Sequence, residues 1–292
     1  MAASQRVLTR TFGAMAFAAA LSMPAAAHAQ ADALEGIEIT PDVVYGHKDG
    51  MALTFDVFRP ANPNGAAILY MVSGGWVSRW TQPEGRARGF EGLLEKGFTV
   101  ISVRHGSSPR YKVPEAEADV RRALRYVHLR AAELGIDTDR IGVYGGSAGG
   151  HLSLMLGLVS DDGSQANDPV LQAPSRVAAV VAYYPPVDLR QMVGPSERFP
   201  ALDFPREQAE SISPVLYATA DDPPTLLIHG DADELVNISH SVRMYEALQG
   251  ARIESEFVTI PGGNHGFTNP EHRARAQALM IDWFDRHLGG PR

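Results

Sequence analysis

A serine hydroxyl attacks a carbonyl only when a base removes its proton and donors stabilise the charge that develops, so such chemistry leaves separate signals in a sequence. The first signal is Gly145-Gly146-Ser147-Ala148-Gly149, which follows the apolar run Ile141-Gly142-Val143-Tyr144 and leads into Gly150-His151-Leu152. Glycines at 145 and 149 allow a strand to turn sharply into a helix, where side chains would collide with neighbouring backbone, and the turn holds the Ser147 hydroxyl out at the top of a sheet. The amide of Ala148 then lies at a helix N-terminus, where the macrodipole favours negative charge.

The base must be a histidine later in the chain, and ten histidines are present. His265 lies in Pro261-Gly262-Gly263-Asn264-His265-Gly266-Phe267, a glycine-rich loop after the apolar stretch Ile253 to Ile260. Such a loop can carry an imidazole over a sheet edge, in the chain order serine, acid, histidine. His151 and His229 read instead as buried polar groups with backbone partners. His105, after the apolar run Phe98 to Val103, is a candidate substrate contact. The acid that holds the histidine's tautomer is expected after the run Thr225 to Ile228, where Asp231, Asp233 and Glu234 crowd one loop. Residue type and spacing leave that choice open, with Asp188 a fourth candidate. For the oxyanion, Ser73-Gly74-Gly75-Trp76 follows Ala66 to Val72 and offers the amides of Gly74 and Gly75, joined by that of Ala148.

These residues need a scaffold that presents loops at one edge. Nearly continuous apolar runs at Ala66 to Val72, Phe98 to Val103, Ile141 to Tyr144, Val177 to Tyr184 and Thr225 to Ile228 suit strands covered on both faces. Met51 to Phe58 alternates apolar and polar residues, as an antiparallel edge strand does. Helical spacing marks Pro114 to Leu134 before Gly135, Ile238 to Leu248 before Gly250, and Glu271 to Leu288 before Gly289. Strands alternating with helices predict an α/β fold, with a mostly parallel central sheet, helices on both faces and the site at the carboxyl ends of the strands. The proline-bearing segments Ser78 to Arg88 and Leu189 to Pro214 are candidate rims. Trp76, Trp80 and Tyr111 are candidate walls of a substrate cleft.

With these motifs in place, the chain resembles bacterial α/β-hydrolase esterases of the hormone-sensitive-lipase and acetyl-xylan or feruloyl esterase-like (BD-FAE-like) kind, from about Gly46 to Leu288. The resemblance is carried by Gly135-Ile136-Asp137-Thr138-Asp139-Arg140-Ile141, Gly145 to His151, Ser213-Pro214-Val215, His229 to Val236 and Pro261 to Phe267. It implies the α/β-hydrolase fold, and the HGxxDxxV pattern of the family places the triad acid on Asp233. Two stretches depart from the pattern. Val72-Ser73-Gly74-Gly75-Trp76 stands where HGGGW is usual, and Val103-Arg104-His105 stands where a tyrosine-arginine pair is common.

The resemblance and the triad together imply a serine carboxylesterase that forms an acyl-enzyme on short-chain esters, including acetyl or feruloyl esters of plant polysaccharide, without metal or cofactor. The rival enzyme is a prolyl-oligopeptidase-like peptidase, although no propeller-type repeat occurs in this sequence; the rival from another class is a non-catalytic binding scaffold. The absence of cysteine excludes disulfides, thiolate metal sites and a thiol nucleophile. A formal charge of −8 argues against nucleic acid or an anionic membrane surface as partner. Arg6 and Arg10, the apolar stretch Phe12 to Leu21 and Ala27-His28-Ala29 read as a secretory signal at 1–29, leaving one domain at 30–292 in the periplasm or outside the cell. N-terminal sequencing of protein exported by a bacterial host is expected to start at Gln30; a mature chain starting at Met1 would end that reading.

Overall fold

The computed structural model describes residues 36–290, so the signal-segment expectation falls outside the described residues. The first strand, β1 (Ile37–Lys48), is one that periodicity did not announce. Its alternation breaks at Pro41-Asp42, where the register slips between Thr40 and Val43, and Asp42 takes a positive φ of 52°. The next, β2 (Met51–Pro60), was expected at the sheet edge and is not there. It lies between β1 and β4 (Thr99–Val103), antiparallel to both, and Phe55, Asp56, Val57 and Phe58 are all buried. Its polar position is deceptive because the wholly buried Asp56 accepts from Arg104 Nη2 at 3.0 Å.

The apolar runs become β3 (Ala67–Met71), β4, β5 (Ile141–Gly146), β6 (Ala179–Tyr183), β7 (Thr225–Gly230) and β8 (Ser255–Ile260), all parallel to one another. The sheet order is β1-β2-β4-β3-β5-β6-β7-β8, so the chain winds both ways from the centre and its parallel strands end on one edge. This is the α/β-hydrolase fold.

Four longer helices flank the sheet: α1 (Val113–Leu129), α2 (Ala148–Leu158), α3 (Ser239–Gly250) and α4 (Pro270–Leu288). The helix expected over Pro114 to Leu134 is interrupted. Arg130 leaves helical geometry, and a separate turn at Ala131–Leu134 ends on Gly135 with φ 62°. At the start of α1 the Glu115 carboxylate accepts from the Lys112 amide at 2.9 Å, which satisfies one orphan donor. At the start of α4 Asn269 Oδ1 accepts from Glu271 N at 2.9 Å. Helix α2 has no polar face, since all of its residues are buried. Helix α4 covers β5, and a side chain at Gly142 would lie 2.6 Å from Phe284. Among the described residues no helix is long and apolar enough to cross a membrane.

Burial of α2 has a consequence at low pH. His151 donates from Nε2 to the Ile212 carbonyl at 2.8 Å and accepts from Trp76 Nε1 at 3.4 Å, a neutral tautomer sealed from water. Loss of hydration lowers its pKa from 6.5 to about 4. The unfolded chain therefore takes up this proton first as the pH falls. Stability from this source is fully present above pH 6.5 and is lost progressively down to about pH 4, by about 3 kcal/mol in all. Burial lowers the pKa of His105 and His229 as well, and both act in the same direction. Urea unfolding midpoints are expected to fall across this interval and to fall less steeply in His151→Gln. An equal pH slope in the two proteins would contradict this account.

Candidate active site

The serine sits where the backbone is most constrained. Ser147 links β5 to α2 at φ 54° and ψ −120°, a conformation that a non-glycine residue keeps only when its surroundings hold it. They do. Its amide donates to the Tyr183 carbonyl on β6 at 2.9 Å, and its carbonyl accepts from His151 N at 2.9 Å to begin the helix. A side chain at Gly145 would stand 2.5 Å from the carbonyl carbon of Gly149, and one at Gly149 would stand 2.8 Å from the Met71 carbonyl oxygen on β3. Both glycines are required by backbone against backbone.

The histidine and its acid are brought together by a second close approach. The loops after β7 and β8 touch at Gly230 and Gly263, where a side chain on Gly230 would lie 2.0 Å from the Gly263 carbonyl oxygen. Ala232 N donates to that oxygen at 3.0 Å, and Asp231 Oδ1 accepts from Gly262 N at 2.6 Å. Asp231 is thereby committed to bracing the two loops, and Glu234 points to solvent. Asp188 is held by Arg190 and Arg243, whose hydrogen bonds keep its pKa well below the usual carboxylate range. Asp233 alone of the four meets His265, its Oδ2 lying 2.7 Å from Nδ1. The contact places the proton on Nδ1 and leaves Nε2 able to accept one.

The Asp233 side chain is completely buried and fully used. Oδ1 accepts from the amides of Leu235 at 2.8 Å and Val236 at 2.9 Å. A second imidazole, which the sequence did not assign to the acid, lies against Oδ2: His229 Nε2 is 3.2 Å from that oxygen and 2.8 Å from the Val236 carbonyl. Both neighbours are acceptors, so Nε2 carries the hydrogen, and Nδ1 accepts from the Ser241 hydroxyl at 2.7 Å. The signal for this role was present in His229-Gly230-Asp231-Ala232-Asp233, a histidine four residues from the acid across a glycine turn.

The expected oxyanion donors divide. Gly74 N donates to Val77 O at 3.1 Å in a tight reciprocal bridge, which corrects its expected role because its hydrogen is already taken. The amides of Gly75, at φ 58°, and of Ala148, at the start of α2, meet no backbone acceptor among the described residues. The expected substrate contacts also change. Trp76 is buried with its ring edge-on to His151 at 5.5 Å, and Tyr111 is buried with its hydroxyl on Asp49 Oδ2 at 3.1 Å. Neither lines the cavity that holds Ser147, nor does the exposed Trp80. His105 lies one layer back, with Nδ1 on the Gly106 carbonyl at 2.8 Å and Nε2 on the Ser73 hydroxyl at 2.9 Å.

Ser147 and His265 both line one cavity of about 600 Å³, large enough for a small organic substrate. Its floor is aromatic, built from tyrosines at or near the ends of three adjacent strands: Tyr70 on β3, Tyr144 on β5 and Tyr183 on β6. The Tyr184 ring lies tilted against His265, with ring centroids 4.6 Å apart. Burial raises the pKa of all four phenols and keeps them neutral. Arg86, Gly89 and Phe90 close one side; Arg273, Gln277 and Met280 of α4 close another. Among the described residues no cluster of histidine and carboxylate side chains could hold a metal ion.

Comparison with known proteins agrees with this fold. The family model named BD-FAE matches residues 55–248. The esterase LipQ of Mycobacterium tuberculosis is 29% identical over 248 residues, covering 78% of this chain and 57% of LipQ, so the chain spans less than two thirds of that relative. A truncated form of a carbohydrate esterase from gut microbiota superposes with a TM-score of 0.71 at 29% identity, covering 87% of this chain and 97% of that one. Esterase 2 of Thermogutta terrifontis, phosphorylated by paraoxon, superposes with a TM-score of 0.72 at 25% identity, covering 89% and 97%.

Proposed function

We propose that this chain, which belongs to the BD-FAE family, is a serine carboxylesterase that cleaves short-chain acyl esters through a Ser147-His265-Asp233 triad. The observation that carries the proposal is the 2.7 Å contact between Asp233 and His265 Nδ1, made beside a strained serine that opens into the same cavity. His265 Nε2 takes the hydroxyl proton as Ser147 Oγ attacks the ester carbonyl, and the amides of Gly75 and Ala148 receive the oxyanion. Collapse of the tetrahedral intermediate expels the alcohol, which takes its proton from the imidazolium. Water, activated by the same imidazole, then attacks the acyl-enzyme and returns Ser147 to its starting state. Asp233 stays ionised throughout and stabilises the imidazolium, so its burial among four donors serves both orientation and charge.

Acyl esters of plant polysaccharide, acetyl and feruloyl among them, are the natural substrate class in this proposal. The carbohydrate esterase among the structural relatives supports it. Export to the periplasm or beyond, read from Arg6, Arg10 and the apolar stretch that follows, would place the enzyme where such polymers are met.

Ser147→Ala is expected to lower turnover of p-nitrophenyl acetate by about a millionfold, the scale on which triad serines act. A fluorophosphonate should label the wild type and not the variant. Near-wild-type hydrolysis by Ser147→Ala, or no labelling of the folded wild type, would refute the triad.

A further inference from the structure

The cavity beside Ser147 carries two arginines and no carboxylate. Arg86, on the helical turn Pro83–Ala87, and Arg273, in the first turn of α4, both line it. The chain as a whole is acidic, at −8, so this wall does not follow the average composition. Half-buried arginines elsewhere are used by carboxylates or backbone carbonyls, as Arg122 by Asp168 and Arg140 by Leu288, whereas here Arg86 is half-buried and Arg273 exposed. Among the described residues neither Arg86 nor Arg273 has a carboxylate partner. Arg86 Nη2 donates to Thr81 Oγ1 at 2.6 Å and to the Arg79 carbonyl at 3.4 Å, and the guanidinium lies 5.9 Å from the centre of the Tyr70 ring. Its Nε is buried and meets no acceptor. That nitrogen has no surface open to a ligand, so an anion would be met by the other edge of the guanidinium: Nη1 meets no acceptor among the described residues, and one hydrogen of Nη2 has only the long 3.4 Å contact to Arg79.

The rest of the wall is flat and neutral. Tyr70, Phe90, Tyr144 and Tyr183 present aromatic surface, and the protonated phenols add no negative charge that would repel an anion. Planar rings pack favourably against such faces, and a guanidinium fork matches a carboxylate in two hydrogen bonds.

We propose that the cavity selects half-esters: substrates whose acyl component is an aromatic ring bearing one esterified carboxyl group, held at Ser147, and one free carboxylate, held by Arg86 with Arg273 as its second partner. This rests on the esterase reading and extends its acyl group from short chains to a carboxylate-bearing aromatic ring. The chemistry is unchanged, the acyl carbon–oxygen bond breaking as water supplies a hydroxyl to the acid and a proton to the alcohol. Arginine is required for the fork, because a lysine would offer a point charge and a neutral amide would offer no charge.

The test compares kcat/KM for monomethyl terephthalate with that for its uncharged isostere, methyl 4-carbamoylbenzoate. The wild type should favour the anion by about tenfold or more, the scale of a hydrogen-bonded charge. Arg86→Gln should lower that ratio sharply and Arg273→Gln by less, with the double variant near unity. Arg88→Gln removes the same charge from the same segment at an exposed residue outside the cavity, and should keep the wild-type ratio. Each ratio is read within one variant, so a general loss of activity cancels, and fluorophosphonate labelling of Ser147 reports that the variant is folded. A wild-type ratio of unity or below, or a ratio untouched by Arg86→Gln, overturns the inference. If the protein still labels and cleaves p-nitrophenyl acetate in that event, only the half-ester preference falls. If it neither labels nor cleaves any ester, the esterase reading falls and the preference falls with it.

Discussion

An ionised carboxylate with no exposed surface is costly to bury, and Asp233 persists because every direction around it ends in a donor. Two backbone amides fix Oδ1, and two imidazoles converge on Oδ2. Removing one donor from such a group strands a charge, which typically costs several kcal/mol, so the loop after β7 has little freedom to take another shape. The requirement spreads outward. His229 can donate only as its Nε2–H tautomer, which the two acceptors at Nε2 select, and the Ser241 hydroxyl donates to the other nitrogen. His265 can reach Asp233 only if the loops after β7 and β8 touch, and they touch only because positions 230 and 263 have no side chains.

Ser147 obeys the same logic in backbone form. The strained conformation of Ser147 is maintained by contacts to two strands, with its amide on β6 and the helix behind it pressed by Gly149 against β3. Strain in one residue is tolerable when the central sheet, covered on both faces, is more rigid than the turn. Parallel strands all ending on one edge then bring four separate loops, those after β3, β5, β7 and β8, into one space without long excursions.

Much of this was legible in the sequence. Strands covered on both faces read as apolar runs, and the turn at Ser147 read as a glycine pattern, because both are local consequences of packing. Other features were not local. β1 was hidden by the bulge at Pro41-Asp42, and the inner position of β2 was hidden by Asp56, which reads as a surface residue and is buried only because Arg104, on a distant strand end, pairs with it. Asp231, Asp233 and Glu234 could not be separated by spacing, since what distinguishes them is burial and the partner each one meets. Trp76 and Tyr111 read as cleft walls because large amphipathic rings beside a site can face either way; the partners His151 and Asp49 decide for the core. The tyrosine floor could have been anticipated from three neighbouring strands each placing a tyrosine near its carboxyl end.

The two departures from the family pattern turn out to be one. Met71 and Val103 are paired across β3 and β4, so residues two steps further along each chain, Ser73 and His105, leave the sheet side by side. Their side chains meet at 2.9 Å. His105 Nδ1 donates to the Gly106 carbonyl, and burial lowers its pKa, so the ring is neutral with a free lone pair on Nε2. The Ser73 hydroxyl must then be the donor. The usual loop carries a histidine on its own strand end and a glycine at the position of Ser73. Here the imidazole comes from the adjacent strand, and the serine supplies the hydroxyl that ties the loop to it. His105 without the serine would leave a buried ring nitrogen short of its partner, whereas together the two tie the loop that carries Gly75 to the end of β4.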